Sequence, residues 1–326
     1  MTHAVGAPSA YPESAGDRDR WILSRRPPRN AVDARRPHAF VVENEIGASG
    51  IVAPVAAIFL TNRECPWRCL MCDLWQNTLQ EPQPAGAIVQ QIEYALERLP
   101  AARTVKLYNS GSFFDHGAIP PAEYAAIAAR LRGFDHVIVE SHPRLVGDDV
   151  SRFRDLLAGT LEVAMGLETV HPEVLPRLNK RMTLALYAAA AARLRREGVA
   201  LRAFVLVKPP FLSEPEALEW AVRSLDVSFD NGSTAASLIP VRGGNGALEA
   251  LAESGDFAPP RLATLEAALE RGIGRGRSRV FADLWDIERF SGCARCFPER
   301  VARLREMNLT QRVLVPVVCE ECGGLA

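Results

Sequence analysis

Seven cysteines fall in three tight groups: Cys65, Cys69 and Cys72; Cys293 and Cys296; Cys319 and Cys322. An odd count clustered in this way argues against a disulfide framework and for metal in a reducing compartment. In the first group, Cys65-Pro-Trp-Arg-Cys69-Leu-Met-Cys72, spacings of three and then two residues wrap three thiolates around one centre. Soft thiolates in a group of three favour an iron–sulfur cluster over zinc, which takes a fourth nearby ligand, whereas a cluster can leave one iron open. An open iron is a place for a substrate or cofactor to bind. Arg63, Glu64, Arg68 and Asp73 surround the trio, a setting unlike the apolar one that three buried structural cysteines need. The remaining four cysteines form two Cys-x2-Cys pairs, which together make a tetrahedral four-thiolate site. Zinc is the expected ion there and a second iron–sulfur cluster the alternative. The glycines of Cys322-Gly323-Gly324 suit tight turns around sulfur.

The 326 residues are 48% hydrophobic and 24% charged, with a net charge of −1. Such a chain folds around a large core and has no global pull toward nucleic acid. Residues 1–20 read as a disordered tail, within a flexible arginine-rich segment over 1–38. Seven arginines lie between Arg18 and Arg36; a solvated lead-in is the first reading and a phosphate-contacting arm the second. The N-terminus lacks the apolar stretch of a signal peptide, and the run from Ile51 to Leu60 is too short to span a bilayer. A cytoplasmic address without a membrane partner is therefore expected.

Something must hold the cysteines in place, and the chain alternates between short β-rich and longer helical runs. After a short strand and turn at 40–50, strands are expected at 55–61, 104–108, 136–140, 161–166, 201–207 and 235–240. Helical patterns lie between them at about 86–99, 121–132, 148–158, 172–197 and 214–225. Six β-then-α units predict a parallel sheet with helices outside, as an open sheet or a partial barrel, with ligands at the C-terminal ends of the strands. The first cysteine group begins just after the first of those strands.

Three cysteines at this spacing, following the first strand of a six-unit βα domain, resemble the radical S-adenosylmethionine (SAM) superfamily over roughly residues 50–290. The resemblance implies an α/β fold, a partial (β/α)6 barrel of the radical SAM type over 39–285, with a small C-terminal four-cysteine module over 286–326. It also implies that Cys65, Cys69 and Cys72 hold a [4Fe–4S] cluster whose fourth iron chelates SAM. Reduction then cleaves SAM to a 5′-deoxyadenosyl radical that abstracts hydrogen, and the protein orients and shields. Where the superfamily usually has an aromatic residue, this chain has Met71, a polarizable side chain expected to pack over the adenine.

The strand ends supply candidates for the rest of the site. Asn109, Ser110, Gly111 and Ser112 follow the second strand, where the superfamily contacts the amino group of SAM; a plain turn is the alternative. Glu140 and Glu168 end the third and fourth strands and are expected to bond ribose hydroxyls or the methionine amino group, while His142 reads as a satisfied surface histidine. Gly166-Leu167-Glu168-Thr169 with Val174-Leu175, Asn179-Lys180 and Thr183 resembles the Elp3-like branch of radical SAM enzymes, which implies that Lys180 or Arg181 pairs with the cofactor carboxylate. Lys208, at the end of the fifth strand, is a candidate substrate contact or proton donor, and a loop-capping lysine otherwise. Gly243, after the sixth, matches the position that lays backbone against adenine.

Arg63-Glu64-Cys65-Pro66-Trp67-Arg68-Cys69, the segment from Met71 to Trp75, Lys208-Pro-Pro-Phe-Leu, and Asp283-Leu284-Trp285-Asp286 resemble the radical subunit of archaeosine synthases. That group acts on a modified 7-deazaguanine in tRNA after a partner enzyme attaches a lysine. The resemblance implies a tRNA or nucleoside substrate, an external electron donor and a partner enzyme. Two alternatives stay open: the same chemistry on a small molecule or peptide, and a non-catalytic iron–sulfur or zinc protein. Arg300, Arg303, Arg305 and Arg312 make the C-terminal module locally basic, through a solvated helix face or through contact with RNA phosphates.

Overall fold

Eight strands form one sheet in chain order in the computed structural model, which describes residues 11–323. They are β1 (Ala39–Ile46), β2 (Val52–Phe59), β3 (Thr104–Tyr108), β4 (His136–Ser141), β5 (Thr160–Glu168), β6 (Ala200–Val207), β7 (Ala235–Pro240) and β8 (Arg279–Ala282). β1 runs antiparallel to β2, and every later neighbour is parallel. The helices are α1 (Ala15–Leu23), α2 (Ala87–Leu96), α3 (Tyr124–Arg130), α4 (Asp148–Leu156), α5 (Val174–Arg177), α6 (Leu184–Arg196), α7 (Glu214–Asp230), α8 (Ala247–Glu253), α9 (Leu262–Gly274) and α10 (Phe297–Thr310).

Alternation along the strands divides the sheet into two faces. Val105 and Leu107, Val137 and Val139, and Leu161, Val163 and Met165 pack outward against Ile88, Ile92, Ile127, Phe153, Tyr187 and Leu194 of the helices. The intervening residues meet across the concave face. The rings of Tyr108 on β3 and Phe204 on β6 lie 6.2 Å apart although two strands separate them, so the sheet curls into a half-barrel. Below that aromatic layer, near the strand N-termini, Arg202 joins Glu45 and Glu162 at 2.6 Å each, and Lys106 joins Glu45 at 2.5 Å. Burial opposes the Glu45 charge, but Arg202 and Lys106 outweigh it and hold the carboxyl down at about 2.

The six expected strands correspond to β2 through β7, and β8 adds a seventh parallel strand. Only four residues long, β8 is too short for its pattern to stand out. Its edge is covered by α10: Asn308 exchanges hydrogen bonds with Ala282, and Gln311 with Val280, as a further strand would. The expected helix over 172–197 is two helices, because Asn179 and Arg181 take left-handed backbone and Thr183 caps α6 by accepting the Leu186 N–H. Gly198, with φ of 68°, ends α6.

The tail expected through residue 20 is ordered structure over 11–20, while its first ten residues lie outside the described ones. Tyr11 packs edge-on against Trp21 and donates its hydroxyl to the Arg177 carbonyl at 2.8 Å. Arg18 bonds the Pro12 and Pro176 carbonyls, and Arg26 and Arg29 both reach Glu64. These arginines are committed to partners distant in sequence and do not form a free basic arm.

Candidate functional site

From the end of β2 the chain runs through buried Thr61 and Asn62 into the loop that carries Cys65, Cys69 and Cys72. Glu64 receives Arg68 at 3.1 Å as well as Arg26 and Arg29, so three guanidiniums converge on one carboxylate. Leu70 donates its N–H to the Leu178 carbonyl at 2.9 Å, and the Asn179 amide reaches the Arg68 carbonyl at 2.7 Å. Asn245, in the glycine-rich run after β7, donates to the carbonyls of Leu70 and Cys72. At Gly111 a Cβ would stand 3.1 Å from the Cβ of Cys65, so the turn after β3 lies close against the cysteine.

The three thiols are half-buried and free of disulfides. Burial pushes each up to about 12, so they hold their protons until a soft cation displaces them. Their sulfurs do not gather as a single-ion site does: among the described residues only the four C-terminal cysteines bring all their ligand atoms within 4.8 Å of one another. The wider trio fits a multi-iron cluster, and the residues present suit that group in donor type, number and exposure.

Charged side chains converge beside this loop at the strand ends. Glu168, in left-handed backbone at a register shift in β5, forms a buried ion pair with Lys180, whose ammonium also donates to the Gly166 carbonyl at 2.8 Å. A side chain at Gly166 would collide with both partners. Burial disfavours the Lys180 charge, yet Glu168 and the Cys69 and Cys65 sulfurs outweigh it and raise its pKa. Arg181 turns outward to Asp19 and the Ala15 carbonyl of α1. Of the two candidate bases, Lys180 is therefore the one beside the cysteines.

Glu140 accepts the backbone N–H groups of Asn109 at 2.6 Å and Gly111 at 3.3 Å, tying the ends of β3 and β4 together. Burial pushes its carboxyl up to about 7 despite those donors. Both amide atoms of buried Asn109 are without a hydrogen-bond partner, which leaves them available to a ligand. Ser110 takes left-handed backbone, and the Ser112 hydroxyl accepts the His142 N–H at 2.7 Å. His142 is not on the surface, as expected from sequence, but buried under Trp67. The Lys208 ammonium lies on Glu214 at 2.7 Å and the Pro259 carbonyl at 3.3 Å, while the Gly243 carbonyl accepts from Arg289. Met71 packs against the apolar cluster containing Leu206 and Val241.

Sequence reasoning passed over Trp67, Asn62, Asn179 and Asn245 as site residues. Asn179 stands beside Lys180 in a motif already singled out, and Asn245 two residues beyond Gly243, so an amide beside a lysine or a glycine was the available signal. Trp67 stands inside the quoted Arg63–Cys69 segment without a role of its own, and Asn62 carried no signal beyond its nearness to the cysteines.

The four C-terminal cysteines make a different centre. Cys293 and Cys319 sulfurs lie 3.9 Å apart, and Cys296 and Cys322 sulfurs 3.7 Å apart. A tetrahedron with metal–sulfur bonds of about 2.3 Å has edges of about 3.8 Å, so this quartet fits one ion. Gly324 lies outside the described residues. Arg300 and Arg303 are neither solvated nor open to phosphate: Arg300 forks onto Glu266, and Arg303 binds Glu270 at 2.6 Å and the Val315 carbonyl at 2.9 Å. Arg305 and Arg312 are the exposed pair. No helix among the described residues is long and apolar enough to cross a membrane.

Residues 59–220 match the family model of the Radical SAM superfamily. An uncharacterized protein of Methanocaldococcus jannaschii is 24% identical over 91% of this chain and 87% of its own length. The archaeosine synthase subunit beta of Methanosarcina acetivorans is 28% identical over 81% of each chain. Among solved structures, methylornithine synthase aligns with a TM-score of 0.50 at 12% identity, covering 68% of this chain and 62% of that one, a likeness of fold.

Proposed function

We propose, for a chain that is a radical SAM enzyme by the domain over its residues 59–220, that it acts on a modified nucleobase in tRNA together with a partner subunit. The observation that carries the chemistry is the open three-cysteine loop set against the Glu168–Lys180 pair at the strand ends. The tRNA substrate and the partner are supported by the 28% identity to a protein named archaeosine synthase subunit beta.

Cys65, Cys69 and Cys72 would hold a [4Fe–4S] cluster, which, with SAM on its open iron, supplies one-electron cleavage to a 5′-deoxyadenosyl radical. Lys180 brings a buried positive charge beside the thiolates and toward a carboxylate ligand. Glu168 keeps that lysine charged and oriented, and Glu140 fixes the turn that presents Asn109 to the ligand. The aromatic pair of Tyr108 and Phe204 spans the concave face below these groups. Cys293, Cys296, Cys319 and Cys322 would hold zinc, closed by four thiolates and silent in redox.

Anaerobic reconstitution, followed by reduction in the presence of SAM, tests this reading. Formation of 5′-deoxyadenosine is expected, and its absence from protein with an intact cluster contradicts it. Retention of tRNA on anaerobic purification is expected for an RNA substrate; turnover of a free small molecule or peptide instead overturns that part.

A further inference from the structure

The segment between the first two cysteines has little backbone support. Among the described residues, no backbone-to-backbone hydrogen bond is donated by Cys65, Trp67, Arg68 or Cys69, and Pro66 has no N–H to give. Side chains hold this segment instead. One of those ties is unlike the rest: the Trp67 indole lies flat on the His142 imidazole, with ring centres 3.9 Å apart and planes within 6°.

The imidazole is itself locked. Its Nε2 donates to the Lys180 carbonyl at 2.9 Å, its Nδ1 accepts the Arg144 N–H at 3.1 Å, and its own backbone N–H goes to Ser112. His142 thus joins the ends of β3 and β4, the backbone of Lys180 and the cysteine loop. Burial and the Lys180 charge beside it keep the ring neutral, lowering its pKa to about 3, and the two hydrogen bonds fix one tautomer.

We propose that the Trp67–His142 stack is a positioning device for the cluster, holding the Cys65–Cys69 segment in register with Lys180 and walling one side of the cluster with uncharged rings. The proposal rests on the three-cysteine centre being the cluster site. A fixed ligand frame slows loss of iron, and a dry wall disfavours the more negative reduced state, which keeps the midpoint potential low.

The test uses the full chain reconstituted anaerobically, as wild type, Trp67→Ala, Trp67→Phe and His142→Phe, with metal retained at the four-cysteine site as the check on folding. Trp67→Ala is expected to speed loss of cluster absorbance in air by about 10-fold or more and to move the midpoint potential positive. Trp67→Phe, which can stack, should recover most of both losses, and His142→Phe should fall between them because it stacks without its hydrogen bonds. Wild-type cluster lifetime and potential in Trp67→Ala would overturn the proposal, as would equal loss in Trp67→Phe. A wild-type chain that takes up no cluster would overturn the three-cysteine reading itself, and this proposal with it.

Discussion

Two cysteine centres in one chain are built in opposite ways. The C-terminal quartet is self-sufficient: its sulfurs already stand at single-ion spacing, and three of its four cysteines are buried. The trio at the end of β2 is wide and half-exposed, and other parts of the molecule hold it, including α1, the loop after β7 and the ends of β3, β4 and β5. The difference follows from what each must do. A closed site loses nothing by surrounding its ion with protein, whereas a site with an open coordination position must be rigid without being filled. Rigidity then has to come from a second layer of side chains.

The strongest way to break this contrast is to remove one thiolate from each centre. Cys69→Ala should abolish cluster assembly and 5′-deoxyadenosine formation while leaving metal at the four-cysteine site. Product from this variant would remove the trio from the chemistry. Next in size is the buried ion pair beside the trio. Lys180→Met strands the Glu168 carboxylate, and the metal-free protein should lose about 3–5 kcal/mol in denaturant unfolding. A loss below about 1 kcal/mol would mean that the pair contributes little to holding the site.

Smaller still is the expected effect of opening the quartet. Cys319→Ala should release the ion and bring rapid amide exchange to residues 293–322, with cluster and cleavage retained at the trio. Full loss of cleavage in a folded variant would contradict a purely architectural quartet. The least effect is a pH slope. The Glu140 carboxyl is raised by burial to about 7, so the folded state binds more protons than the unfolded one between the ordinary carboxyl value and about 7. Its contribution to stability is complete below that window and is lost as the pH rises through it. Glu140→Gln should flatten the slope in metal-free protein, and an unchanged slope would assign it elsewhere.

Much of the scaffold was legible because its signals are local. Six strand runs and both cysteine sets are read within a few residues of one another. What escaped depends on partners far apart in sequence. The arginines at 26 and 29 look like a solvated arm until Glu64 is placed between them. Those at 300 and 303 look basic until Glu266 and Glu270 of α9 neutralise them. The choice between Lys180 and Arg181 was closed to sequence reasoning because left-handed backbone at 179 and 181 sends adjacent side chains in opposite directions. His142 is buried by an indole on another loop, and no local pattern announces a stack.

Metal content by site tests the division of labour most directly: iron, sulfide and zinc measured in anaerobically reconstituted wild type, Cys69→Ala and Cys319→Ala. About four iron and four sulfide with about one zinc are expected in wild type, zinc without iron in Cys69→Ala, and iron without zinc in Cys319→Ala. Iron that survives Cys69→Ala, or disappears in folded Cys319→Ala, would contradict the assignment of an open cluster to the trio and a closed ion to the quartet.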